Sequence, residues 1–165
     1  MSTHTLARSL RAALLSVAAV SLLSPTVSFA ADAPPAVDGV AHVASAADFA
    51  TTVSQARAAI EGRGLTLMAT VDHAANAQKA GLELRPTTLL IFGNPKVGTQ
   101  LMAASQTAGL DLPMKLLVWQ DAEGKVWVGT NDPGWITGRH GIEGKEGLAN
   151  KVRGVLAEIA AEATK

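Results

Sequence analysis

Apolar residues recur at helical intervals from Phe49 through Val53, Ala56 and Ile60, and Gly62 and Gly64 end the segment. Ser45-Ala-Ala-Asp48 ahead of them has the spacing of a capping box, so the pattern predicts a helix with one apolar face. The period then drops to two. Leu65, Leu67, Ala69 and Val71 alternate with Thr66, Met68 and Thr70, which predicts a strand, because successive side chains of an extended chain point to opposite faces. Asp72 can cap a short alanine-rich helix over residues 73–80, closed by Gly81, and Pro86 holds the next stretch extended. Residues 88–93 are apolar at both parities, as in a central strand covered on both faces.

Asn94-Pro95 joins an N-cap residue to a proline at the first helical position. Val97, Leu101, Met102, Ser105 and Ala108 line one side of the predicted helix up to Gly109. Residues 114–120 and 125–130 read as a hairpin across Asp121-Ala-Glu-Gly124. With a three-residue loop Trp119 opposes Trp127, and both indoles lie on the face away from Val118, Val126 and Val128. Gly138, Gly141, Gly144 and Gly147 predict a flexible loop, and Leu148, Val152, Val155, Leu156 and Ile159 form the stripe of a last helix. The elements assemble as α+β, a two-layer sandwich with a mixed or antiparallel sheet of four or more strands and helices packed on one face. The other face would carry Leu117, Trp119 and Trp127, too much apolar surface for water, so a homodimer or a ligand groove is expected there.

Composition narrows the chemistry mainly by exclusion. The 165 residues suffice for one domain. Residues 1–30 read as a signal peptide: Arg8 and Arg11, an apolar stretch from Leu14 to Leu23, then Ser28-Phe29-Ala30 as cleavage site. A periplasmic or secreted location is expected, with residues 31–41 a flexible arm and 42–165 a single domain. No apolar run approaches the roughly 20 residues of a membrane-spanning helix, so no stable membrane anchor is expected. The absence of cysteine removes disulfides, thiol redox work, covalent haem, iron-sulfur clusters and thiolate zinc together. Beyond residue 30 there are 12 basic and 14 acidic side chains, a formal charge of −2 that makes nucleic acid an unexpected partner. Phosphate-loop, dinucleotide-binding and Gly-x-Ser-x-Gly motifs are absent, and no cofactor is predicted.

Four residues carry the ligand-binding expectation. Free N–H groups at the helix start after Asn94, with Lys96 beside them, suit an anion, although plain capping by Asn94 needs no ligand. Arg85, beside Glu83, suits a carboxylate or an internal ion pair, and His73 follows the cap residue Asp72. His73 and His140 with Glu83 or Asp132 also supply the donor types of a two-histidine, one-carboxylate site for a divalent metal. No two of these histidines have the i, i+4 spacing of a helical zinc motif.

Gly81-Leu-Glu-Leu-Arg-Pro-Thr87, Leu90-Ile-Phe-Gly-Asn-Pro-Lys96, Gly109-Leu-Asp-Leu-Pro113 and Asp132-Pro133 form phrases that resemble the domain-of-unknown-function 302 family, most strongly over residues 41–142. The resemblance implies a compact two-layer α/β domain, often a dimer, found alone or attached to other modules in bacteria. It implies no reaction, and no catalytic residue is carried over. The resulting expectation is an exported, soluble, dimeric binding or accessory module for a small polar or anionic ligand or a partner protein, with its site near Asn94, His73 and Arg85. The alternative is a metal-assisted enzyme using His73 and His140 with Glu83 or Asp132, which needs those side chains to converge in one pocket.

Overall fold

The structure, a computed structural model, describes residues 34–165, and the predicted signal peptide lies outside the described residues. The sheet grows outward from the hairpin. Strands β4 (Met114–Gln120) and β5 (Val126–Asn131) pair antiparallel with Trp119 opposite Trp127, the register that the three-residue loop predicts. Asp121 fixes the turn: its Oδ1 accepts the backbone N–H groups of Glu123 and Lys125, and its Oδ2 accepts the Trp127 indole N–H at 2.7 Å. On the far side of β4 lie β3 (Thr87–Gly93) and then β2 (Thr66–Asp72), while β1 (Val40–Ala44) pairs with β5. All four pairings are antiparallel, in the order β1-β5-β4-β3-β2. The fold is thus an α+β two-layer sandwich.

Helices α1 (Phe49–Gly62) and α5 (Glu146–Ala163) cover one face of the sheet and pack on each other. Ile60, Leu90, Phe92, Leu116, Val118, Val128 and Ile159 meet there, each no more than 1% exposed. Burial of such side chains contributes about 1.5–3 kcal/mol apiece, which holds a cysteine-free chain together. Helix α2 (His73–Lys79) links β2 to β3. Helix α3 (Pro95–Ala104), with the 3-10 turn Gln106–Leu110, builds a second, smaller apolar cluster of Leu101, Ala108 and Ile142.

Four sequence expectations change. The cap of α1 is Asp48, whose Oδ1 accepts the Thr51 N–H, whereas Ser45 is still extended with its N–H on Val126 O and its hydroxyl on Thr52. Residues 40 and 41, placed in the arm by composition, begin β1. A bulge at Met68 breaks the alternation of β2: Leu67 pairs with Phe92 on the covered side, while Ala69 and Val71 pair with Ile91 and Leu89 on the other. The predicted glycine loop is shorter than its four glycines: Gly138 belongs to helix α4 (Pro133–Arg139), capped by Asp132, whose Oδ1 accepts the Trp135 N–H, and Gly147 belongs to α5.

The strand directions give the sheet two ends that matter for function. Gly93, Met114 and Asn131 mark the upper end; Asp72, Thr87 and Gln120 mark the lower. The seven residues of β3 separate them by about 20 Å.

Candidate functional site

Asn94 leaves β3 at the upper end and caps α3. Its Oδ1 accepts the Lys96 N–H at 2.9 Å, and its carbonyl accepts the N–H groups of Val97 at 2.9 Å and Gly98 at 3.1 Å. Pro95 has no N–H. The donors that would hold an anion are therefore already engaged within the helix start, and the capping role accounts for Asn94 by itself. Beside this turn opens a cavity of about 240 Å³, whose walls include Met68, Val97, Met102, Met114 and Val152. Among the described residues Asn94 and Thr99 are the polar side chains lining it, and no titratable group does.

His73 and Arg85 lie elsewhere. His73 is the first residue of α2 at the lower end, behind Asp72, whose Oδ1 accepts the Ala75 N–H. Glu83 and Arg85 line a shallow surface groove with Asp72, and Arg85 Nε donates to the Gln120 carbonyl at 3.2 Å instead of pairing with Glu83. The four residues expected to share one ligand site thus split into Asn94 and Lys96 at one end of β3 and His73 and Arg85 at the other.

The metal expectation fails on the same geometry. Asp132 caps α4 and is gripped by Arg153, Nε to Oδ2 at 2.6 Å, and this guanidinium holds its carboxyl below the usual aspartate range. His140 is committed to Asp111 at the upper end, whereas His73 and Glu83 belong to the lower. Among the described residues no group of three or more His, Cys, Asp or Glu side chains is disposed to hold a metal ion.

A polar cluster that sequence reasoning missed sits between the 3-10 turn and the end of α4. Asp111 is nine-tenths buried, and its Oδ2 lies 2.6 Å from His140 Nε2. Arg139 Nη1 reaches both carboxylate oxygens, at 3.1 and 3.2 Å. A carboxylate only accepts, so Nε2 carries the proton it shares with Oδ2, and Nδ1 lies within hydrogen-bond distance of the Thr107 hydroxyl, at 2.9 Å. Carboxylate, imidazole and hydroxyl stand in the order that activates a nucleophile. The imidazole is 5% exposed, however, and none of the three lines the cavity beside Asn94, so the chain of bonds ties the 3-10 turn to α4. Asp111 and His140 are 29 positions apart, and no local pattern links them.

The uncovered face of the sheet carries a second aromatic arrangement. Trp119 stacks on Trp127 at 6.4 Å between ring centroids, and His42 of β1 stands edge-on to both, at 6.3 and 5.6 Å. The described part of the arm folds back over this face. A turn from Val37 to Val40 with Gly39 at positive φ reverses the chain, and Pro34, Pro35 and Val37 line a cavity together with Leu117 and Trp119. Trp135 anchors the turn: its indole N–H donates to Asp38 at 3.2 Å, and a Cβ placed on Gly39 would overlap its ring.

A family model described as a domain of unknown function, DUF302, matches residues 41–163. A fluoride-specific ion channel of Brucella suis is 45% identical over 104 residues, which cover 63% of this chain and 41% of that protein. A second fluoride-specific ion channel, of Brucella melitensis, is equally similar over 104 residues and 38% of its length, so the chain spans about two-fifths of these relatives. The crystal structure of an uncharacterized DUF302 protein from Bacillus stearothermophilus superposes with a TM-score of 0.70 at 18% identity, covering 78% of this chain and all of that one, which shows the shared fold. With a model match over most of its length, the chain belongs to the domain-of-unknown-function 302 family.

Proposed function

We propose that this chain is an exported, homodimeric binding or accessory module, and that its guest enters the cavity where β3 hands over to α3. One observation carries the reading: that cavity is walled by apolar side chains and, among the described residues, lined by no group able to hold or move a proton. Chemistry at neutral pH needs such a group or a metal, whereas binding needs only apolar area and a few placed polar atoms. The expectation of a small polar or anionic ligand is narrowed accordingly, to a guest with an apolar body and one hydrogen-bonding group facing Asn94 or Thr99. A side chain of a partner protein meets the same description.

The relatives support an accessory role, because the segment they share with this chain is under half of a longer protein. Fluoride conduction is no part of the proposal; no helix among the described residues is long and apolar enough to cross a membrane. A second copy would cover the uncovered face around Val71 and Ile91, which the arm-roofed cavity does not include. The enzyme alternative, His73 and His140 with Glu83 or Asp132, draws no support from groups held at opposite ends of the sheet. Native mass spectrometry of the protein purified from its own host tests the proposal. A dimer retaining a small apolar molecule is expected, and an empty monomer would contradict it.

A further inference from the structure

Between the arm and the uncovered sheet face lies a cavity of about 310 Å³, separate from the one beside Asn94. Leu89, Leu117 and Trp119 line it from the sheet side, and Pro34, Pro35 and Val37 from the arm. The Trp119 ring lies across the backbone of β5, close enough that a Cβ on Gly129 would meet it at 3.0 Å. The indole is thereby packed against the β5 backbone at Gly129. Its stacking on Trp127 and the tether of Trp127 to Asp121 hold it further in place.

Two features define what would fit. An aromatic and apolar lining with proline rings opposite favours a flat ring system over a small hydrated ion, because stripping water from an ion against apolar walls is costly. Among the described residues Lys115 is the one charged side chain lining the cavity, and no carboxylate lines it. Its ammonium spends two protons on the carbonyls of Asp111 at 2.7 Å and Pro113 at 3.0 Å, which fixes its position and leaves a third proton to donate. His42, another lining residue, makes no hydrogen bond through its ring nitrogens among the described residues. Access requires that the arm before Asp38 lift, hinged on a turn held by the Trp135 indole on Asp38, by the Asp132 N–H on the Gly39 carbonyl at 2.8 Å and by the packing of Trp135.

We infer that this arm-roofed cavity binds a planar aromatic carboxylate, its ring between Trp119 and the proline roof and its carboxylate at Lys115.

The test is a titration of the whole chain with 2-naphthoate, read by tryptophan emission and by amide NMR shifts, with 2-methylnaphthalene as the uncharged control. Saturable binding with shifts at His42, Leu117 and Gly129 is expected. K115M should weaken 2-naphthoate about tenfold and change 2-methylnaphthalene less than about twofold, as for the loss of one charge-assisted hydrogen bond. Because Lys115 also anchors two carbonyls, the wild-type shift map stands as evidence whether or not that variant folds. Absence of saturation, or shifts confined to Val97 and Met102, would overturn the assignment of the site. Equal affinity of folded K115M for 2-naphthoate would overturn the assignment of the carboxylate. Either failure leaves the proposed guest beside Asn94 untouched, since that cavity has its own walls.

Discussion

The two faces of the sheet are made from the same strands and treat their apolar side chains differently. Leu90 and Phe92 of β3 point to the covered face and are 0% and 1% exposed, whereas Leu89 and Ile91, one residue away, are only half-buried. On the covered side two helices close the layer with a large contact. On the other a few residues of arm and a row of aromatics do the same work incompletely. The first face is finished by local chain and therefore encodes stability; the second is unfinished and leaves room for guests.

Truncation at equivalent depth in β3 tests that contrast with the largest effect. Phe92→Ala should cost about 3–5 kcal/mol in urea unfolding, and Leu89→Ala roughly half as much or less, since less area is withdrawn from water. Equal costs would mean that the arm seals its face as well as the helices seal theirs. Polar burial comes next. Asp111→Ala leaves the imidazole of His140 and its tether to Arg139 without their acceptor, and a loss of about 2–3 kcal/mol is expected. Glu83→Ala, in the exposed groove at the lower end, should stay within about 0.5 kcal/mol.

An effect between those two separates the arm from the sheet beneath it. Gly39→Ala places a methyl group against the Trp135 ring at a positive-φ position and should cost about 1–2 kcal/mol, chiefly by releasing the arm. Limited proteolysis should then cut before Val40 faster than in the parent chain, and an unchanged cleavage rate would show that the latch does not hold the arm. The smallest effect is one of pH. The Asp121 carboxyl is held below its ordinary value, first by the Trp127 indole N–H, which outweighs the opposing desolvation, with the backbone donors of Lys125 and Glu123 adding to it. Such a group stabilises the fold above the unfolded-state aspartate pKa, near 4, and the contribution is lost as pH falls through the lowered folded value. Acid unfolding followed by tryptophan emission should begin at higher pH in Asp121→Ala than in the parent chain.

The contrast between faces also explains what the sequence disclosed. Periodicity found α1 because one buried stripe repeats its signal; β3 was found as a run apolar at both parities, of which only alternate residues are fully buried, and the opposition of Trp119 and Trp127 followed from a turn of fixed length. β1 escaped because its five residues, Val40–Ala44, are little buried and carry no stripe. α4 was legible in principle: Asp132-Pro133 repeats the cap-and-proline signature of Asn94-Pro95. The turn at Asn94 was placed correctly, with plain capping and anion binding both left open; only the folded chain shows that its donors are spent and that Met68 arrives from a bulge in β2 to wall the cavity. The pairing of Asp111 with His140 and the return of the arm over Trp119 are contacts between distant segments, and no local pattern encodes either.

The central claim is that recognition occurs in the apolar cavity beside Asn94 and owes nothing to the cation next to it. Fluorescence titration with N-phenyl-1-naphthylamine measures this directly in the parent chain, Val97→Trp and Lys96→Ala. The account predicts a saturable site in the parent chain, its loss when an indole fills the cavity, and unchanged affinity when the lysine is removed. An unsaturable parent chain, or affinity that falls with Lys96 and survives Val97→Trp, would contradict it.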